Sequence, residues 1–433
     1  MLNQTRMTMG FMTLPQTSGP LHLSNLTVPG CVLGHKDSLR PLDLTICEGK
    51  ISVPVVGAPI IDMRGAMVFP AFIDMHTHLD KGHIWPRTPN PDGSFDGAIN
   101  AVRNDKNGRW GVEDLRPRMT FSLRCAYAHG TRAIRTHLDQ FAPEQNASWP
   151  LFSELRTEWA NRIELQAACL SNCDMVEDPA CFEAVADLVA AHGGVLGGLT
   201  APGDRLDWQL ERFVGGAQSR GLAADFHVDE TLDPSVNTLR HIAKSVIDHR
   251  FDVPVTVGHL CSLSTMQEAE ALRTLDLVAR AGLHVVSLPM CNLYLQDRHP
   301  ARTPRMRGIT LVHEMTARGI NISFASDNTR DPFYAYGDMD MLEVMREATR
   351  ICHLDHADAD WTNAFLRNPA TATGFAAPVL APGAHADLVI CRAREWSELF
   401  ARPQSDRIVL RQGRQIDTTL PDYAELDSLM RTP

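Results

Sequence analysis

The feature that most constrains the fold is a series of eight short apolar runs, most of them about 30 residues apart and several ending in polar residues. They are AFIDMHTH (71–78), TRAIRTHLD (131–139), RIELQAAC (162–169), GGVLGGL (193–199), AADFHVDE (223–230), VPVTVGHL (253–260), LHVVSLP (283–289) and INISFASDN (320–328). Helical runs such as PACFEAVADLVAAHG and MQEAEALRTLDLVARAG separate most of them. Strand–helix–strand units force a parallel sheet, and eight of them favour a closed ring over an open sheet. An open nucleotide-binding sheet usually carries a Gly-rich phosphate turn, and neither GxGxxG nor GxxxxGK[ST] occurs. The expected fold class is therefore α/β, a (β/α)8 TIM-type barrel.

The flanks read differently. Residues 21–69 and the stretch 383–415 are short strand-like runs broken by turns. Both chain ends are expected to build one small β-sandwich from 21–69 plus 376–433. The barrel then occupies 70–375, behind a flexible N-terminus over 1–20. Residues 1–20 lack the apolar core of a secretory signal.

Charge and cysteine usage narrow the function. A net charge of −11 repels phosphate backbones and anionic lipid, and no apolar run approaches the ~20 residues of a membrane helix. Neither nucleic acid nor membrane is an expected partner. The ten cysteines form no CxxC pair and read as reduced thiols of a cytoplasmic protein.

The chemistry lies at the strand ends, where barrel enzymes carry their active sites. His76 and His78, two apart on a strand, point to the same face. His227, His259 and Asp327 close the fifth, sixth and eighth runs. Imidazole and carboxylate suit zinc or ferrous iron, and three or four such ligands leave a position for water. Any one of these residues alone reads as a core histidine or a helix cap; five at four strand ends read as a metal site. Glu230, three residues after His227, must lie past the strand end, where a carboxylate can lean over the water as general base. His137 and Lys81 sit nearby without an assigned role. His83, His129, His192, His353 and His356 are given no metal role, and His353 and His356 read as a solvated helix face.

The segments FPAFIDMHTHLDK, RAIRTHLD, IELQAAC, FHVDET, VTVGHL, NLYLQDR and FASDNTRDPFYAYGDMDML resemble the amidohydrolase superfamily, most closely its cytosine deaminase branch. The resemblance implies one divalent metal, Zn or Fe, held by His76, His78, His227 and Asp327. It makes Glu230, His259 and Asp327 catalytic. The fourth run contains no lysine, so the carbamylated lysine of two-metal relatives is absent. Asn172, Asn328 and Phe333 fall at substrate-binding positions where the branch carries glutamine, aspartate and tryptophan. The implied activity is hydrolytic deamination of a small heterocyclic amine, of cytosine or 5-substituted cytosine type, with release of ammonia. A triazine, pterin or cyclic-amide hydrolase is the alternative. An inactive metal-binding scaffold is a further one, against which the retained Glu230 speaks. A homo-oligomer is left open.

Overall fold

The computed structural model describes residues 10–16, 19–35, 38–139, 142, 146–356 and 360–431. Each of the eight apolar runs contains a strand: β1 (Phe72–Thr77), β2 (Thr131–Leu138), β3 (Glu164–Cys169), β4 (Leu196–Leu199), β5 (Ala224–Val228), β6 (Val255–His259), β7 (His284–Ser287) and β8 (Asn321–Phe324). Strands β1, β2 and β3 form one parallel sheet. Strands β4 to β8 form a second, extended by the two-residue strand Ser171–Asn172. Two isolated parallel bridges join the sheets, Ala168 to Val195 and Thr77 to Asp327. The architecture is mixed α/β, with helices between the parallel strands.

Strand interiors are buried on both faces, so β1, β5 and β6 read as continuous buried runs. Outward residues of β5 and β6, such as Phe226 and Val257, join the main apolar core with the surrounding helices. Their inward residues are polar, and they form the site.

The chain ends share one antiparallel-rich sheet. Leu388–Cys391 pairs with both Met67–Pro70 and Ile408–Arg411, and Met67 bridges to Leu21–Pro29. Alternation divides its faces. Val68, Leu388 and Ile390 enter a separate core with Leu21, Leu23 and Ile408, while Met67, Phe69, Val389 and Cys391 enter the main core. The chain-end strands thus lie between two apolar layers.

The described part of residues 1–20 packs against the terminal sheet. Leu14 is buried in the smaller core, and its backbone N–H donates to Gln415 Oε1 at 2.7 Å. The Phe11 N–H donates to Asp406 O at 2.8 Å. Sequence composition carries no trace of these partners some 400 residues away. Residues 1–9 and 17–18 lie outside the described residues. All ten cysteines are free thiols, eight of them buried.

A buried ion pair fastens the terminal sheet to the helix Met341–Cys352. Asp340 caps that helix through Leu342 N, and both its oxygens accept from Arg407, each at 2.6 Å. Burial alone would raise the Asp340 carboxyl; Arg407 and His129 outweigh it and hold it below the usual carboxylate range. A depressed carboxyl stabilises the fold above its unfolded value of about 3.9, and that contribution is lost as pH falls further. Arg407→Ala leaves a buried charge unpaired and is expected to cost about 3–5 kcal/mol at pH 7 by urea titration. The gap to wild type should narrow below about pH 4. A cost under about 1 kcal/mol, the value of an exposed pair, would contradict the clamp.

Candidate active site

The inward positions stack in layers two residues apart. Asp74, Arg135 and Asp225 lie below His76, His137 and His227 on β1, β2 and β5. His78 and Asp139 follow two residues later, just past the ends of β1 and β2. Seven of these eight are buried, with His227 5% and His78 4% exposed, and Asp139 is partly buried.

The ring centroids of His76 lie 4.1 Å from His137, 4.6 Å from His227 and 5.4 Å from His78. Gly258 makes room for this crowding, since a Cβ there would sit 3.3 Å from His76 Cε1. The loop after β8 brings in Asp327, whose N–H donates to His76 O at 2.9 Å. Its Oδ1 lies 3.2 Å from His78 Nε2 and 3.6 Å from His76 Nε2, and the Nε2 atoms of His78 and His227 are 3.5 Å apart. Asp327 and His259 both hold left-handed backbone, φ 65 and 72. That conformation costs a non-glycine residue of order 1–3 kcal/mol and is typical of functional sites.

Two overlapping groups could hold a metal: His76, His78, His137 and His227, and His76, His259 and Asp327. Both nitrogens of His76, His227 Nδ1, His259 Nε2 and both oxygens of Asp327 are buried without a hydrogen-bond partner among the described residues. Each such atom costs about 1–3 kcal/mol unless something satisfies it. His76 and His227 are held well below the usual imidazole range, first by burial and then by neighbouring imidazoles. They are therefore neutral, the form that binds metal. Burial also opposes charge on His78, but Asp139 and Asp327 outweigh it and raise that ring. Asp327 is drawn down to about 2, because His78 and His259 overcome the effect of burial. Nitrogen, oxygen and burial together fit one divalent ion.

Glu230 lies two residues past β5, as its position after His227 requires. Its Oε1 accepts from Asn292 Nδ2 at 3.1 Å and lies 3.4 Å from His259 Nδ1. Burial first, then Asp327, pushes its carboxyl well above the usual range. Lys81, 3% exposed, lies 3.5 Å from Asp139 and 4.4 Å from the centroid of the Phe333 ring. Phe333 is half-buried and meets Phe95 edge-on. Asn328 is buried and gives its amide to Asp331 Oδ2 at 2.8 Å. Asn172 is exposed, at the same end of the sheet as the histidines, and its side chain caps no backbone.

Sequence reasoning passed over Asp139, Asp225 and Asn292. Asp225 lies 3.3 Å from His137 and 2.9 Å from Arg135. The two-residue step before His227 marked Asp225, and the step after His137 marked Asp139. His353 and His356 are exposed at and just beyond a helix end.

Residues 59–113 and 128–417 match the amidohydrolase family. A pterin deaminase from Rhizobium rhizogenes is 50% identical over 436 residues, 98% of this chain and 100% of the relative. An N-isopropylammelide isopropylaminohydrolase from Burkholderia multivorans superposes with TM-score 0.73 at 25% identity, over 93% of this chain and 100% of that one. A 5-methylcytosine deaminase from Klebsiella pneumoniae, liganded with 5-fluorocytosine, gives TM-score 0.77 at 24% identity, over 92% and 97%. The last likeness concerns fold alone. The chain belongs to the amidohydrolase family.

The packing of Gly258 on His76 generates a test. Gly258→Val is expected to displace His76 and to reduce bound metal by more than half in elemental analysis, with an unchanged far-UV circular dichroism spectrum. Full metal content would show that the histidine cluster tolerates the added volume.

Proposed function

We propose that the chain deaminates a pterin, with one divalent ion, zinc or iron, held by His76, His78, His227 and Asp327. The observation that carries the substrate is the 50% identity to a pterin deaminase along almost the whole chain. It moves the substrate from the cytosine type expected from sequence to one of the alternatives. The chain is a hydrolytic deaminase of a heterocycle, acting on a carbon–nitrogen bond other than a peptide bond. No helix among the described residues is long and apolar enough to cross a membrane. In the same reading the two bridged sheets are a closed (β/α)8 barrel over 70–375. The chain-end strands form a small β domain from 21–69 plus 376–433.

When bound, such an ion supplies a hydroxide nucleophile near neutral pH by lowering the pKa of water to about 7. The protein's groups do the rest. The pterin amine sits on an sp² carbon between two ring nitrogens. Glu230 takes the proton as oxygen bonds to that carbon and returns it to the adjacent ring nitrogen. His259 and Asp327 hold the oxygen. The second proton of the water, removed from the same oxygen, passes through Asp327 or Glu230 to the amine as the carbon–nitrogen bond breaks, so that ammonia leaves and a carbonyl remains. Burial, and after it Asp327, raises the Glu230 carboxyl and makes it a better proton acceptor than a free carboxylate. Phe333, with Lys81 above it, is the group that faces the ring. Asn328, its amide committed to Asp331, shapes the loop around it, and Asn172 stands at the exposed end.

Glu230→Gln is expected to keep metal and fold and to lose roughly 10²–10⁴ in kcat. Turnover near wild type would place the proton carrier elsewhere. Ammonia release from a panel of pterin, cytosine, 5-methylcytosine and a triazine amine should give pterin the largest kcat/KM. A cytosine preferred by tenfold or more would overturn the substrate.

A further inference from the structure

The rim of the site carries charge opposite to that of the chain. After β7 come the short helix Pro289–Leu295 and then an irregular stretch, 296–311, which therefore lies at the same strand ends as the histidines. Its centre, DRHPARTPRMR over 297–307, holds four arginines and a histidine against one aspartate, in a chain of net charge −11. Asp297 is already engaged by Arg302, by His299 and by the backbone N–H groups of Arg305 and Met306. Arg298 and Arg307 have carbonyl partners and no carboxylate among the described residues.

These two guanidiniums converge on one helix end. Arg298 Nη2 donates to Tyr294 O at 2.6 Å, and its guanidinium lies 4.5 Å from the centroid of the Tyr294 ring. Arg307 Nη2 donates to Leu293 O at 3.3 Å, and its Nε is buried without a partner. Capping consecutive carbonyls occupies one nitrogen of each fork and leaves the rest of its five N–H donors. Neighbours tie both arginines to the site. A Cβ on Gly93 would meet Arg298 Cδ at 2.2 Å, so Arg298 packs on the loop before Phe95, the ring that meets Phe333. Tyr294 packs edge-on against Tyr334, the residue after Phe333, with ring centroids 5.4 Å apart. At the other end, Gly308 follows Arg307 and packs on Gln296, whose Nε2 donates to Glu230 O at 3.3 Å. The stretch thus runs along the rim from the Phe333 wall to the Glu230 backbone.

We propose that Arg298 and Arg307 form an anion subsite, and that the preferred substrate is a pterin whose outer ring carries a carboxylate or a phosphate. The proposal rests on the pterin reading given above and deepens it. Deamination brings the amine-bearing carbon to the buried histidines. The second ring of a pterin lies on the far side of the molecule, so its substituents point to the rim. A guanidinium fork matches the oxygens of either anion. A positive stretch at the mouth also draws such a ligand in against the negative charge of the rest of the chain.

The test compares pterin with 6-carboxypterin and with the phosphate ester of 6-hydroxymethylpterin. Dissociation constants are read from pterin fluorescence on zinc-loaded Glu230→Gln, and kcat/KM from ammonia release by the wild-type protein. The anionic pterins should be favoured over pterin roughly 10- to 100-fold in both measurements, the value of a hydrogen bond to a charged group. The larger of the two ratios identifies the anion. Arg298→Met and Arg307→Met should each lower the ratio at least threefold, and about 1 M sodium chloride should lower it in the unsubstituted rim. A merely structural loss weakens pterin and its anionic partner together and leaves the ratio unchanged. A wild-type ratio within threefold of one overturns the proposal, as does a ratio that neither arginine substitution moves. Tight, arginine-dependent binding of the anionic pterins without ammonia release would fault the proposed reaction and leave the anion subsite standing.

Discussion

The site rests on the ion pair between Arg135 and Asp225, which are 1% and 0% exposed in their side chains. Charges shut away from water are tolerated only when matched, and removing one partner costs about 3–5 kcal/mol. Here the match is nearly complete. Arg135 Nη1 donates to Asp225 Oδ2 at 2.9 Å and to Thr256 Oγ1 at 3.2 Å, and Nε donates to Gln166 at 2.6 Å. The other oxygen of Asp225 lies 3.3 Å from His137, whose ring packs against those of His76 and His227. Strands β2, β3, β5 and β6 are thereby set relative to one another by one guanidinium. The imidazoles one layer above inherit that placement.

A second scaffold fixes the loop after β1. Arg118, fully buried, donates to Asp80 O and Gly82 O at 2.7 and 2.9 Å and pairs with Asp114. Arg87 pairs with Asp105 and Asp114 and reaches Leu429 O. Lys81 lies between the two carbonyls that Arg118 holds. The ammonium above Phe333 is therefore delivered by a braced loop, and the brace ties the C-terminal segment to the same network.

Sequence alone revealed what repeats and hid what converges. The eight strands were legible because each is a short apolar run bounded by turns, and the metal-compatible residues because each stands at a run's end. Period two also marks Asp225 and Asp139, but a single aspartate in such a run carries no metal signal of its own. Asn292 had no such signal. Its meaning comes from meeting Glu230 and His259 across gaps of 62 and 33 residues. The specificity positions were the least legible. The family resemblance put Asn328 at a substrate-binding position, but only the fold reveals that it gives its amide to Asp331. The packed segment around Leu14 was hidden for the same reason, its partner being Gln415.

The shared sheet of the two chain ends also sets an order of events during synthesis. Met67–Pro70 leads into β1 within two residues, yet its neighbour Leu388–Cys391 is translated roughly 320 residues later. At about 5–20 residues per second, that edge stays open on the ribosome for roughly 15–60 s. During that interval Val68 and Phe69 lack their neighbours Ile390 and Val389, and the nascent chain exposes an apolar β edge just ahead of its first histidine pair. Closure of this seam must wait for residues 388–391, so a chain stalled before residue 388 presents a chaperone or a protease with an open edge that the finished protein does not display.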